Sequence, residues 1–106
     1  MRHITAKELS AHLQNTATAP LLLDVREPWE YQICHIDGAR LLPLKQIPNE
    51  YGSLNPQQEI VLICHHGSRS ARAAAFLEQK GFSDVVNLTG GMDAWASEVD
   101  TTMAKY

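Results

Sequence analysis

Residues 59 to 80, Glu-Ile-Val-Leu-Ile-Cys-His-His-Gly-Ser-Arg-Ser-Ala-Arg-Ala-Ala-Ala-Phe-Leu-Glu-Gln-Lys, constrain the fold more than any other stretch because their hydrophobic period changes partway along. Ile60, Val61, Leu62 and Ile63 form a β-branched, non-alternating apolar run, the pattern of a strand buried on both faces. From about Ser68, Ala73, Phe76 and Leu77 recur at helical spacing, and Gly81 stands where a helix would be capped. Cys64 therefore falls where a buried strand ends and a short loop feeds a helix. The first turn of a helix presents unpaired N–H groups and the positive end of its dipole, and Gly67 permits a tight loop. With the fixed cation of Arg69, these residues predict an anion cradle around Cys64. A thiol in such a ring of donors is expected to lose its proton below its free value and act as a nucleophile.

The flanking chain repeats the strand and helix alternation. His3 and Ile4 predict a short strand, and Thr5 with Glu8 three residues on predicts a capping box for a helix buried through Leu9 and Leu13. Leu21 to Val25 reads as a second buried strand, followed by a short helix opened by Pro28. Arg40 to Leu44 predicts a third strand, and 46 to 54 a short helical or irregular connection interrupted by Pro48 and Gly52. Asp84 to Leu88 predicts the last strand, turned by Gly90 and Gly91 into a helix over Met92 to Val99. The segment from Asp100 to Tyr106 lacks periodicity and is expected to lie loosely on the surface. Strands alternating with helices imply an α/β domain with a mostly parallel sheet covered on both faces. Ligands in such folds bind beyond the carboxyl ends of the strands, where Cys64 lies.

A length of 106 residues with 44% hydrophobic content suits one compact domain spanning 1 to 106, its core over about 3 to 99. A net charge of −3 offers no electrostatic footprint for nucleic acid or an anionic membrane, and no stretch approaches the length of a membrane span. With no apolar leader at residue 1, a cytoplasmic location is expected. Two cysteines, Cys34 and Cys64, are too few for a disulfide scaffold, and Cys34 is expected to pack.

The chain strongly resembles the rhodanese family of single-domain sulfurtransferases. The resemblance rests on Leu23-Asp24-Val25-Arg26-Glu27 with Glu30-Tyr31, on His35-Ile36-Asp37-Gly38-Ala39, on Cys64-His65-His66-Gly67-Ser68-Arg69-Ser70, and on Leu88-Thr89-Gly90-Gly91 with Trp95. It implies a rhodanese-like fold with a five-stranded central sheet, and a persulfide on Cys64 that takes sulfur from thiosulfate or another persulfide donor. That sulfur would pass to cyanide in an assay or to a thiol, including a protein thiol, in the cell. His65, His66, Gly67, Ser68, Arg69 and Ser70 would form the binding loop. No cofactor or metal is implied.

The residues support that chemistry independently. Thiolate attack on a sulfur–sulfur bond requires an ionised sulfur and a stable leaving anion such as sulfite, and loop amides with Arg69 can supply the donors. Cysteine phosphatases and related arsenate reductases place five residues between cysteine and arginine, whereas Cys64 and Arg69 are separated by four, a tighter ring that favours sulfur over phosphoryl transfer. Ser68 and Ser70 are expected to cap the loop. Asp24 and Arg26 are expected to form a supporting ion pair, with Glu30 joining it, rather than to do chemistry. A partner-recognition module without turnover is the competing reading, and Cys64 counts against it.

Overall fold

The computed structural model describes residues 1–15 and 17–106. Five strands, β1 (Arg2–Ile4), β2 (Leu21–Asp24), β3 (Arg40–Leu41), β4 (Ile60–Ile63) and β5 (Val85–Leu88), form one sheet. Their order is β1-β5-β4-β2-β3, and every pairing is parallel. The helices are α1 (Ala6–Asn15), α2 (Pro28–Ile33), α3 (Ile47–Glu50), α4 (Ser68–Gln79) and α5 (Gly91–Glu98). Two 3-10 turns, Leu44–Gln46 and Tyr51–Ser53, flank α3.

The strands are apolar on both faces because both faces are covered. Along β4 all four residues are buried, and they divide by alternation. Ile60 and Leu62, with Cys64 beyond them, join a cluster with Ala73, Ala74 and Leu77 of α4. Val61 and Ile63 join the opposite cluster with Leu9, Met92 and Trp95 of α1 and α5. The period-two pattern thus aims Cys64 at the α4 face.

Chain order positions the site. After β2 the chain runs out to the β3 edge, and after β4 it runs out through β5, while β2 and β4 lie side by side. Such a reversal between neighbouring parallel strands leaves a crevice at their carboxyl ends. Asp24, Val25 and Arg26 leave one strand there and Cys64 leaves the other, stitched by the Val25 amide donating to the Ile63 carbonyl at 2.8 Å.

Thr5 and Glu8 form the expected capping box, the Glu8 amide donating to Thr5 Oγ1 and the Thr5 amide to Glu8 Oε1. The third strand is shorter than expected, ending at Leu41. Leu42 and Leu44 still donate to the carbonyls of Asp24 and Val25, but Pro43 supplies no N–H to extend the ladder. Among the described residues no helix is long and apolar enough to cross a membrane.

Candidate active site

Cys64 is the residue immediately after β4, and Gly67 precedes α4 with a φ of 108° that favours glycine. This turn brings the Gly67 amide to Cys64 Sγ at 3.0 Å. Ser70 Oγ lies 3.2 Å from the same sulfur. Among the described residues these are its hydrogen-bond partners, so one loop amide reaches Sγ where the sequence suggested a full ring. Gly90 and Gly91 dock α5 against the loop. The amides of Met92 and Asp93 donate to the carbonyls of Cys64 and His65 at 2.8 and 3.0 Å, and a Cβ at Gly91 would overlap both carbonyls.

Cys64 is 1% exposed, so the sulfur marked by the sequence as the candidate nucleophile lies enclosed. The alternation that puts it in line with Ile60 and Leu62 turns it inward among apolar neighbours. Ser70 is fully buried too, and it donates to Asn87 Oδ1 at 2.5 Å rather than capping α4. Ser68 is exposed and provides no side-chain cap, because Gly67 holds the cap position. Asn87 in turn contacts His3 Nδ1 at 3.3 Å, so a polar chain runs from Cys64 through Ser70 and Asn87 to the edge strand. Asn87 escaped the sequence reading, although a polar residue inside Val85-Val86-Asn87-Leu88 was its available signal.

Asp24 and Arg26 form the expected ion pair, both side chains wholly buried. Arg26 Nε and Nη2 donate to the two Asp24 oxygens at 2.8 and 2.6 Å, and Nη2 also donates to the Cys34 carbonyl at 2.7 Å. Burial alone would lower the Arg26 pKa, but the bonds to Asp24 raise it on balance. Cys34 is buried and both cysteines are free thiols.

The Glu30 side chain does not pair with Arg26, although Arg26 Nη1 donates to the Glu30 backbone carbonyl at 3.4 Å. It takes the loop arginine instead, Arg69 Nη1 and Nη2 donating to its two oxygens at 2.7 and 2.8 Å. The Glu27 amide and the Tyr106 hydroxyl add a third and fourth donor, at 3.0 and 2.8 Å, so every face of the carboxylate is used. The Arg69 bonds hold Glu30 at about 2, against burial that works the other way, and Arg69 is raised in return. The cation expected to face an incoming anion is thus already paired.

The tail is not loose. Tyr106 Oη accepts from Arg26 Nη1 at 2.9 Å while donating to Glu30, linking the two ion pairs. Its ring stacks on His65 at 4.0 Å and meets Trp29 edge-on at 5.6 Å. Burial pushes the phenol up to about 12, so it stays protonated as a donor. No sequence signal foretold this, because the contacts are non-local and the tail has no period.

His65 and His66 stack at 4.1 Å, and burial lowers the His65 pKa below 6.5, with the neighbouring imidazole adding to the effect. His66 Nε2 lies 4.0 Å from Asp93 Oδ2. His65, His66 and Asp93 bring one donor atom each within 4.8 Å of one another, a set suited to a divalent cation. The sequence showed no ligand spacing because Asp93 comes from a different element.

A parallel α/β sheet that ends a buried strand in a cysteine, under a glycine-turned loop and a helix N-terminus, defines a domain whose candidate site centres on one enclosed sulfur. The rhodanese-like domain family model matches residues 5–98, and the chain belongs to that family. It is 42% identical over 105 residues to the probable adenylyltransferase/sulfurtransferase MoeZ of Mycobacterium tuberculosis, covering 97% of this chain and 26% of that protein. The chain thus spans about a quarter of that relative's length. It is 36% identical over 76 residues to the thiosulfate sulfurtransferase GlpE of Pseudomonas paraeruginosa, covering 72% of this chain and 69% of that one. The crystal structure of a rhodanese-like domain protein from Staphylococcus aureus matches with a TM-score of 0.85 at 35% identity, covering 93% and 95% of the two chains.

Proposed function

We propose that the protein is a sulfurtransferase that carries sulfane sulfur on Cys64. The carrying observation is the sulfur itself, held at 3.0 Å by the Gly67 amide beside the start of α4, in a chain whose relatives include named sulfurtransferases. The Gly67 amide and the first turn of α4 place a hydrogen-bond donor and a positive dipole end beside Sγ, where charge changes hands during sulfur transfer. The thiolate attacks the outer sulfur of thiosulfate. A new bond forms between Sγ and that sulfur, the old sulfur–sulfur bond breaks, and sulfite leaves with the electron pair. Cyanide or a thiolate then takes the outer sulfur, and the pair returns to Sγ. No oxidant, reductant or metal enters the balance.

Because Cys64 is 1% exposed, the resting loop is a closed state and donor entry requires local opening. The Glu30 to Arg69 pair is suited to that opening, since Arg69 is one-third exposed and a dianion can compete for its guanidinium. The test is thiocyanate formation from thiosulfate and cyanide. The wild type is expected to turn over and Cys64→Ser to be inactive. Equal rates for the two proteins, or none for either, would remove the proposal.

A further inference from the structure

Beside the sulfur, the loop carries side chains that sulfur transfer does not use. His65 and His66 follow Cys64, and Asp93 comes from the first turn of α5, each bringing one ligand atom to within 4.8 Å of the other two. Loop and helix are already joined there, the Asp93 amide donating to the His65 carbonyl at 3.0 Å. The His65 ring stacks against both His66 and Tyr106, at 4.1 and 4.0 Å, which limits its orientations. The side chains of His66 and Asp93 are 67% and 54% exposed, so both can turn to close the 4.0 Å between Nε2 and Oδ2. Ligand atoms around one tetrahedral zinc stand roughly 3.4 Å apart, a separation set by bonds of about 2.0–2.1 Å. Only a small rotation is needed.

The group is separate from the sulfur. His65 and Asp93 line a cleft with Met92 and Tyr106 beside α5, whereas the Cys64 side chain packs in the cluster under α4. Two imidazoles and one carboxylate suit a borderline-soft cation, with a fourth position left to water, while Mg²⁺ and Ca²⁺ take oxygen ligands.

We propose that His65, His66 and Asp93 bind Zn²⁺ or a divalent cation of similar softness, and that the bound ion clamps the Cys64 loop to α5. The clamp rests on the reading that the closed loop must open to admit a sulfur donor. An ion held by both segments binds only while they are together. It therefore lowers the open population by one plus the ratio of free Zn²⁺ to Kd, about elevenfold at roughly ten times Kd. Sulfur transfer slows although the ion never touches Sγ.

Two measurements test this. The first titrates Zn²⁺ into Cys64→Ser protein, which lacks the competing thiol, and follows the imidazole resonances by NMR. Saturable shifts confined to His65 and His66 are expected. Adding Asp93→Ala or His66→Ala should weaken the affinity roughly tenfold or more, since even an outer partner of a metal ligand is worth that much. Shifts shared equally by His3, His12 and His35, or an affinity unchanged by Asp93→Ala, overturn the site. The second measurement follows alkylation of Cys64 by iodoacetamide in otherwise wild-type protein, with peptide mass mapping to separate Cys34. Zn²⁺ at roughly ten times Kd is expected to slow it about elevenfold, and only about twofold in Asp93→Ala at the same concentration. An unchanged rate overturns the clamp, and equal protection in Asp93→Ala overturns it by placing the ion on the sulfur. Neither measurement depends on sulfur transfer, so failure of the carrier reading shows separately, as absent thiocyanate formation.

Discussion

Two ion pairs stand beside the Cys64 loop, and they are built differently. Asp24 and Arg26 are both fully buried, two residues apart on one strand exit, and sealed by the Cys34 carbonyl and Tyr106. Glu30 and Arg69 come from α2 and α4, and although the Glu30 side chain is 4% exposed, that of Arg69 is 32% exposed. The first cannot open without stranding a charge in the core. The second can exchange its guanidinium with solvent or an arriving anion. A buried pair of this kind fixes geometry, whereas one with an exposed arginine beside the Cys64 loop is a contact that an arriving anion can displace. Tyr106 touches both, so the brace and the latch are mechanically joined.

The largest difference should appear on removing the brace. Arg26→Met leaves Asp24 buried without its partner and is expected to cost about 3–5 kcal/mol in urea unfolding. A loss below about 1 kcal/mol, the scale of an exposed pair, would put the two pairs in one class.

Glu30→Gln breaks the latch, and its effect depends on pH. Glu30 lies at about 2, below its ordinary 4.5, so its contribution is fully present above pH 4.5 and is lost as pH falls through about 2. The linkage ceiling for that shift is on the order of 3 kcal/mol, and exposure of Arg69 reduces it to roughly 1–3 kcal/mol. Unfolding curves for wild type and variant should therefore differ at pH 7 and converge near pH 2. A constant gap across that range would show that the carboxylate charge is not what stabilises the pair.

Tyr106→Phe should have the smallest effect, about 1 kcal/mol, since it removes one hydroxyl while leaving the ring on His65. If the hydroxyl couples brace to latch, its loss should also reduce the cost of Glu30→Gln in a double-mutant cycle. Strict additivity would mean the two pairs act independently.

What the sequence disclosed follows from how local each interaction is. The Thr5–Glu8 cap, the buried β4 run and the turn before α4 depend on residues within a few positions of one another, and all were legible. The inward direction of Cys64 was not legible, because β4 is apolar on both faces and its sequence does not distinguish the face that meets α4 from the one that meets α1 and α5. Arg69 was legible as a cation wanting an anion, but not that Glu30, 39 residues away, supplies it. The same distance problem hid Asn87 behind Ser70 and Tyr106 behind both ion pairs.

The central claim is that the enclosed sulfur of Cys64 gains and carries a second sulfur atom. Intact-protein mass spectrometry after incubation with thiosulfate and removal of excess reagent tests it directly. The wild type should gain the mass of one sulfur atom, released by cyanide, and Cys64→Ser should gain none. An unchanged wild-type mass, or the same gain in Cys64→Ser, would contradict the account.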